Sequence, residues 1–102
     1  MSVVFLYVTT RNKSEGLKIT RYLLKKKLIA CANIFPITSI YEWKGKIRNG
    51  KEVVMILKTL KTKSVAVKKE IEQIHSYEVP CVVEISVKAN DAYARWIQKQ
   101  VR

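Results

Sequence analysis

Apolar residues along this chain recur at two spacings, one typical of strands and the other typical of helices. The continuous apolar run Val3–Val8 predicts a first strand that is buried on both faces. Asn12 followed by Glu15 resembles a capping box, and the apolar stripe of helical spacing after it predicts a helix. From Ile29 to Trp43 a spacing of two replaces the helical spacing, which predicts a second, long strand.

The second half of the chain continues this alternation of strands and helices. A third strand is predicted from about Glu52 to Leu60, and Thr62 is suited to cap a second helix. Alternation over Cys81–Val87 predicts a fourth strand, and Asn90 can cap a last helix. The order predicts an α+β, ferredoxin-like βαββαβ fold with an extra C-terminal helix, built as a single domain over residues 1–102.

The second and third predicted strands form a hairpin that is too long for a domain of this size. A strand from Ile29 to Trp43 would extend roughly 45 to 50 Å, whereas a compact domain has a radius of gyration of only ~13 Å. The hairpin must therefore bend or protrude, and apolar side chains near its tip would be exposed. Another chain would be expected to cover them, which favours a homo-oligomer. These residues are Ile40, Tyr41, Trp43 and Ile47.

The composition shows that this predicted domain is strongly positively charged. The chain has 20 Lys and Arg against 8 Asp and Glu, which gives a formal net charge of +12. This excess raises polyanion or nucleic-acid binding as an alternative function. The basic residues are nevertheless spread along the whole chain without a recognition motif, so a nucleic-acid partner is disfavoured. The apolar runs are too short for a membrane-spanning helix or a signal peptide, so we expect a cytoplasmic protein with no membrane partner.

Five short clusters of residues carry a family resemblance. In chain order they begin at residues 28, 39, 57, 75 and 93 and read LIACAN, SIYEWKGK, LKT, HSYEVP and YARW. In this order they closely resemble the CutA divalent-cation tolerance family over essentially the whole chain. The resemblance implies a tight homotrimer, similar in architecture to the PII signalling proteins, with long hairpins woven between subunits. It also implies a role in tolerance of divalent metals, copper foremost, by weak metal binding or as a signalling adaptor.

We expect no enzyme activity and no tightly bound cofactor. The acidic residues are scattered singly, and no glycine-rich phosphate loop or paired carboxylates occur. Cys31 and His75 could in principle form a nucleophile and a base, but an oxyanion hole and a third group cannot be identified from the sequence.

Cys31 and His75 are also the candidates for binding copper or another divalent metal. Cys31 could supply a soft thiolate ligand, or it could be a small residue packed at a helix-to-strand junction. His75, the only histidine, could bind a metal or hydrogen-bond the last carbonyls of its helix. Members of the family thought to bind copper have a further histidine and cysteine, where this chain has Ile74 and Val8. Cys81 shares the parity of the apolar positions of the last strand, so we expect it to pack in the core.

Lys58 and Tyr77 are candidates for a ligand pocket. Lys58 shares the parity of Val54 and Ile56, so its ammonium group needs an anionic partner or must reach the sheet edge on its flexible stem. Together with Tyr77 and His75, Lys58 would form a pocket for a small anion at a subunit boundary.

Tyr41 and Trp43 share one face of the hairpin and lie among basic residues. Aromatic rings between cations can stack nucleic-acid bases, but they are equally suited to contact another subunit. The family resemblance favours the second role, so we take Tyr41 and Trp43 as trimer interface candidates.

Overall fold

A computed structural model describes residues 2–101, and within them four strands form one antiparallel sheet. The sheet order is β2-β3-β1-β4, and the strands are β1 (Val3–Thr10), β2 (Cys31–Trp43), β3 (Lys46–Leu60) and β4 (Val82–Val87). The helices are α1 (Lys13–Lys25), α2 (Ser64–Ile74) and α3 (Asp91–Gln100). This architecture confirms the predicted α+β fold, including its C-terminal helix. None of the helices in residues 2–101 has the length and apolar character needed to cross a bilayer.

Five element boundaries differ from those predicted, and two of the differences are small: β1 extends to Thr10 instead of Val8, and β4 begins at Val82 instead of Cys81. β3 begins at Lys46, because the hairpin turn is only Lys44 and Gly45, which adopt φ values of 51° and 79°. α2 begins at Ser64, two residues beyond the predicted cap, because a single 3₁₀ turn over Lys61–Lys63 comes first. β2 begins two residues later than predicted, at Cys31.

The predicted start of α1 and its Asn12 cap are confirmed, and the return bond of the capping box goes to the residue before the cap. The Asn12 side chain accepts a hydrogen bond from the backbone N–H of Glu15 at 2.9 Å. The Glu15 carboxylate accepts in return from the backbone N–H of Arg11, also at 2.9 Å. Two N–H groups without helical partners are thereby satisfied.

The hydrophobic core lies between one face of the sheet and the helices α1 and α2. Leu6 and Val8 of β1 are fully buried on this face. They belong to one cluster with apolar residues of β3 and of both helices, including Met55, Leu57, Ile19, Leu23, Val67 and Ile71. The alternate positions of β1 point to the opposite face, where Ile97 of α3 and Val101, the residue after the helix, pack on Val3 and Phe5.

Beyond α3, much of this second face is uncovered in the described part of the chain. We call it the open face, and it presents Phe35, Val83 and Ile85, whose exposed fractions are 41%, 48% and 43%. The expectation that Cys81 packs in the core with its strand was wrong, because Val83 and Ile85 point away from α1 and α2. Cys81 itself is half-buried. An apolar face of this kind is typical of a surface that contacts another chain.

The hairpin protrudes from the domain, as its length predicts. The pairing of β1 with β3 ends at Thr10 and Val53, whereas β2 and β3 continue to pair as far as Trp43 and Lys46. Residues 37–52 therefore have no third strand beside them, and the molecule measures 45 × 24 × 20 Å. Pro36 is tolerated within β2 because β2 is the edge strand.

Glu84 of β4 forms two ion pairs that connect the sheet to residues near the start of α2. Its carboxylate contacts Lys61 Nζ at 2.6 Å and Lys68 Nζ at 3.0 Å. Hydrogen bonds from these lysines and from Ser64 lower the pKa of Glu84 to about 2.

We predict that Glu84→Gln lowers the urea midpoint at pH 7 by a small amount and that this difference vanishes in acid. Because the folded-state pKa lies below the unfolded value of ~4.3, the stabilisation is complete above about pH 5 and is lost as the pH falls toward 2. Urea midpoints of both proteins measured between pH 7 and pH 2 provide the test. Glu72→Gln, at an exposed acid on α2, is the matched control. A difference that stays constant with pH would contradict the prediction.

Candidate functional site

The predicted site residues form two groups at opposite ends of the sheet. Cys31 and Lys58 are direct partners in the pairing of β2 with β3, level with the start of β1. His75 contacts Thr9, which lies four residues further along β1, or roughly 13 Å at ~3.3 Å per residue. His75 also packs against Tyr77. Within one chain, Cys31 is therefore grouped with Lys58, and His75 with Tyr77.

The first group adds a tyrosine from α3 to the Cys31 thiol. Cys31 Sγ lies 3.5 Å from the Tyr93 hydroxyl, close enough for a weak hydrogen bond. This hydrogen bond and burial together raise the pKa of the Tyr93 phenol to about 12. The phenol therefore stays neutral at physiological pH. Cys31 forms no disulfide and is half-buried.

Aromatic rings surround the Lys58 ammonium group. Its Nζ lies 5.3 Å from the ring centre of Phe5 and 5.6 Å from that of Tyr93. Both distances are within the range of cation–π attraction. The sequence predicted an anionic partner or a stem reaching the sheet edge. In the structure, the π-electron density of these rings stabilises the Lys58 ammonium charge instead. Lys58 and Tyr77 lie in different groups, so they do not form the predicted anion pocket within one chain.

Both ring nitrogens of His75 are engaged with the backbone. Nε2 lies 2.7 Å from the carbonyl oxygen of Thr9, and Nδ1 lies 3.0 Å from the backbone nitrogen of Tyr77. Because a carbonyl only accepts and an amide only donates, Nε2 carries the proton and Nδ1 accepts. A metal ion at Nδ1 would displace the Tyr77 amide. His75 thus holds the segment after α2 against the end of β1.

Glu15 also anchors this segment. Its Oε2 accepts a hydrogen bond from the backbone N–H of Ser76 at 3.0 Å, while Oε1 is bound at the start of α1. Desolvation opposes ionisation of the carboxyl, but the hydrogen bonds from Ser76 and Arg11 outweigh it and lower the pKa of Glu15. The capping residue of one helix therefore also fixes the loop that follows another.

A cavity of about 480 Å³ lies between this loop and the hairpin, and we call it the hairpin cavity. Tyr77 forms part of its wall and donates a hydrogen bond to Glu52 Oε2 at 2.5 Å. Burial and this contact raise the pKa of the Tyr77 phenol. Tyr41 and Trp43 line the side of the cavity that belongs to the hairpin, and Glu78 is also among the lining residues. The structure thus brings the two interface candidates to the same cavity as Tyr77.

The described residues do not assemble a metal centre. Within residues 2–101, no group of three or more His, Cys, Asp or Glu side chains is placed to hold a metal ion. Cys31 offers a single soft ligand, and the imidazole of His75 is already committed to the backbone. The distance between these two residues also prevents them from acting as a nucleophile and base within one chain.

Sequence reasoning missed Glu52 and gave Tyr93 only a packing role. Glu52 has the same parity as Lys58 on β3, so the pattern that placed Lys58 also placed Glu52 on that face. Its partner could not be found in this way, because Tyr77 reaches Glu52 from a loop 25 residues away in sequence. The pairing of Cys31 with Tyr93 spans 62 residues and depends on where α3 packs.

Comparison with known proteins gives consistent matches over nearly the whole chain. Residues 4–100 match the family model described as CutA1 divalent ion tolerance protein. The Divalent-cation tolerance protein CutA of Archaeoglobus fulgidus is 40% identical over 98 residues, covering 95% of this chain and 96% of that protein. The Divalent-cation tolerance protein CutA of Thermococcus kodakarensis is 37% identical over 100 residues, covering 97% and 96%.

A solved structure has the same fold. The structure of the periplasmic divalent cation tolerance protein CutA from Archaeoglobus fulgidus matches with a TM-score of 0.95 at 39% identity. The match covers 98% of this chain and 99% of that one. The similarity therefore includes the protruding hairpin and the C-terminal helix.

We predict that Cys31→Ala lowers the pKa of Tyr93 from about 12 toward the ordinary value of ~10. The hydrogen bond with Cys31 is the larger cause of the raised value, so its removal should leave only the effect of burial. The measurement is a pH titration of tyrosine ring carbons by NMR, with Tyr93→Phe used to assign the signal. Cys81→Ala is the control. If the signal still titrates near 12 in Cys31→Ala, burial alone raises this pKa.

Proposed function

The chain belongs to the CutA1 divalent ion tolerance protein family, and on that premise we propose that it acts in divalent-cation tolerance, copper foremost, as a non-enzymatic homotrimer. The single observation that carries the assignment is the match of residues 4–100 to the family model. In this proposal the trimer works chiefly as a signalling adaptor. Direct metal contact is limited to weak binding of a soft ion at Cys31.

The open face and the hairpin support the proposed trimer. Phe35, Val83 and Ile85 lie on the two edge strands and are between 41% and 48% exposed, so they form an apolar surface that no described element covers. The hairpin adds Ile40 and Ile47, which are 70% and 77% exposed. Covering both surfaces with identical copies would bury them without a second kind of chain. The number of copies, three, comes from the family resemblance.

The chemistry of the described residues supports an adaptor more than a metal carrier. Tight copper binding needs several soft or imidazole ligands converging on one point. This chain brings one thiol to the open face, and Lys58 lies directly opposite it on the neighbouring strand. A positive charge so close to a thiolate opposes the accumulation of cations there.

We predict that light scattering of the wild type gives a mass three times 11.8 kDa. Ile85→Lys should reduce this mass toward that of one subunit, because it would bury a charge at the open face without a partner. Val65→Lys is the matched control, since Val65 is 62% exposed on α2, away from the open face. A wild-type mass of one subunit would refute the trimer. A trimeric Ile85→Lys variant would show that the open face is not the interface.

We predict that Cu(I), titrated under reducing conditions in competition with a chromophoric chelator, binds weakly and through Cys31. Cys31→Ser should weaken the affinity by at least about tenfold, because a hydroxyl is a far poorer ligand for Cu(I) than a thiolate. Cys81→Ser serves as the control for loss of a thiol elsewhere. Equal affinities for wild type and Cys31→Ser would remove Cys31 as the ligand.

A further inference from the structure

Half of the net charge of the chain lies in one short segment that contains α1. Residues 11–27 include seven of the 20 Lys and Arg but only one of the eight acids, so their net charge is +6 out of +12. The single acid, Glu15, lies in the first turn of α1. The remaining turns of the helix therefore carry lysine and arginine with no acid of their own.

Three of these basic side chains form a line along the outer surface of α1. The side of the helix that packs in the core comprises Gly16, Ile19, Thr20 and Leu23. At ~100° per residue, Lys18, Arg21 and Lys25 lie on the opposite side, and all three are exposed. We call these three residues the cationic stripe, which extends about 10 Å along the helix at ~1.5 Å per residue.

No contact in the described part of the chain neutralises the cationic stripe. Lys18, Arg21 and Lys25 are three and four residues apart, and like charges at these spacings destabilise a helix. Lys26, one position further, instead pairs with Glu70 of α2 at 2.7 Å. None of the three stripe residues forms such an ion pair within residues 2–101. The fold thus uses Lys26, whereas the charge of the stripe can be met by an external partner.

Apolar side chains flank one edge of the stripe. Leu17 and Leu24 are seven residues apart, which places them on the same side of α1, next to Arg21. Leu24 is 37% exposed, and Leu17 is half-buried. A nucleic-acid backbone would use the positive charge but has no apolar group to cover these leucines. A peptide that carries both carboxylates and apolar side chains would use both features.

The outer surface of α1 lies away from the surfaces that the proposed trimer covers. α1 and α2 pack on one face of the sheet, whereas the open face is on the other. Both ends of α1 are fixed: Asn12 caps the start, and the backbone N–H groups of Lys27 and Leu28 bind the carbonyls of Leu24 and Leu23. The stripe is therefore in place before any partner binds, which lowers the entropic cost of binding.

We propose that the outer surface of α1 is a docking site for an acidic, amphipathic segment of a partner protein. The carboxylates of this segment pair with Lys18, Arg21 and Lys25, and its apolar side chains cover Leu24. The inference deepens the proposed function as a signalling adaptor and rests on it. A trimer presents three such surfaces, so a partner with repeated acidic segments gains avidity.

The test measures the fluorescence anisotropy of a labelled peptide in which Leu recurs every three or four residues among Glu. At about 0.15 M salt, which screens weak surface attraction, this peptide should bind the wild type saturably. Arg21→Glu should weaken binding at least about tenfold, because it replaces attraction by repulsion at the centre of the stripe. The same substitution places a carboxylate four residues before Lys25, an arrangement that favours the helix, so unfolding would not explain the loss.

Lys69→Glu is the matched control for the reversal of charge. Lys69 is exposed on α2 and forms no ion pair within residues 2–101. This variant should bind the peptide within about twofold of the wild type. Absence of saturable binding to the wild type would overturn the proposal. Equal weakening by Lys69→Glu and Arg21→Glu would also overturn it, because the binding would then follow net charge alone.

Two further probes identify the class of partner. A peptide with Ser in place of Leu should bind the wild type about fivefold more weakly, and Leu24→Ser should weaken only the binding of the Leu peptide. Duplex DNA that binds more tightly than the Leu peptide, with the same dependence on Arg21, would overturn the choice of a protein partner.

Light scattering on the same samples separates this inference from the proposed trimer. A wild type that is monomeric yet binds the Leu peptide through Arg21 would support the docking site and refute the trimer. A trimer that does not bind the peptide would overturn the docking site alone.

Discussion

The sheet is built from strands of unequal length, and most of the other features of the molecule follow from this mismatch. β2 and β3 have 13 and 15 residues, whereas β1 and β4 have 8 and 6. Because β1 ends at Thr10, its pairing with β3 stops at Val53. The part of β3 before Val53 therefore pairs with β2 alone. The loop after α2 lies beside the point where the third strand is missing, and the hairpin cavity forms there.

The acidic residues show how a strongly basic chain holds its elements together. Four of the eight make contacts that join separate elements. These are Glu15 with the loop after α2, Glu52 with Tyr77, Glu70 with Tyr22 and Lys26, and Glu84 with Lys61 and Lys68. Each contact is individually modest where it is exposed to solvent. Together they place negative charge at junctions between helices, sheet and loop.

The fold was largely predictable from sequence because its signals are local. Asn12 and Glu15 lie three residues apart and define the start of α1 by themselves. Parity along β3 places Lys58 and Glu52 on the same face. Parity does not say which face the two helices cover, which is why the environment of Val83 and Ile85 was predicted wrongly. That choice depends on α3 and on the packing of the whole sheet.

The site was less predictable, because its contacts connect distant parts of the sequence. His75 was considered as a metal ligand since it is the only histidine, but its role depends on Thr9, 66 residues away. Tyr93 was assigned to packing because its helical spacing gives no sign of the Cys31 thiol beneath it. In both cases the polar atoms of the side chain form hydrogen bonds within the protein. The sequence alone could not identify the partners of these hydrogen bonds.

The charge distribution explains how a member of a cation-tolerance family can lack a metal centre among its described residues. Hard divalent ions need several carboxylates at one point, but here half of the acids are already committed to separate structural contacts. Soft ions need converging thiolate and imidazole groups, yet Cys31 and His75 lie near opposite ends of β1. By contrast, the described residues form several surfaces suited to contact with other molecules. These are the open face, the protruding hairpin, the hairpin cavity and the cationic stripe of α1. Within one chain, the described residues thus present surfaces for contact with other molecules and no converging set of ligands for an ion.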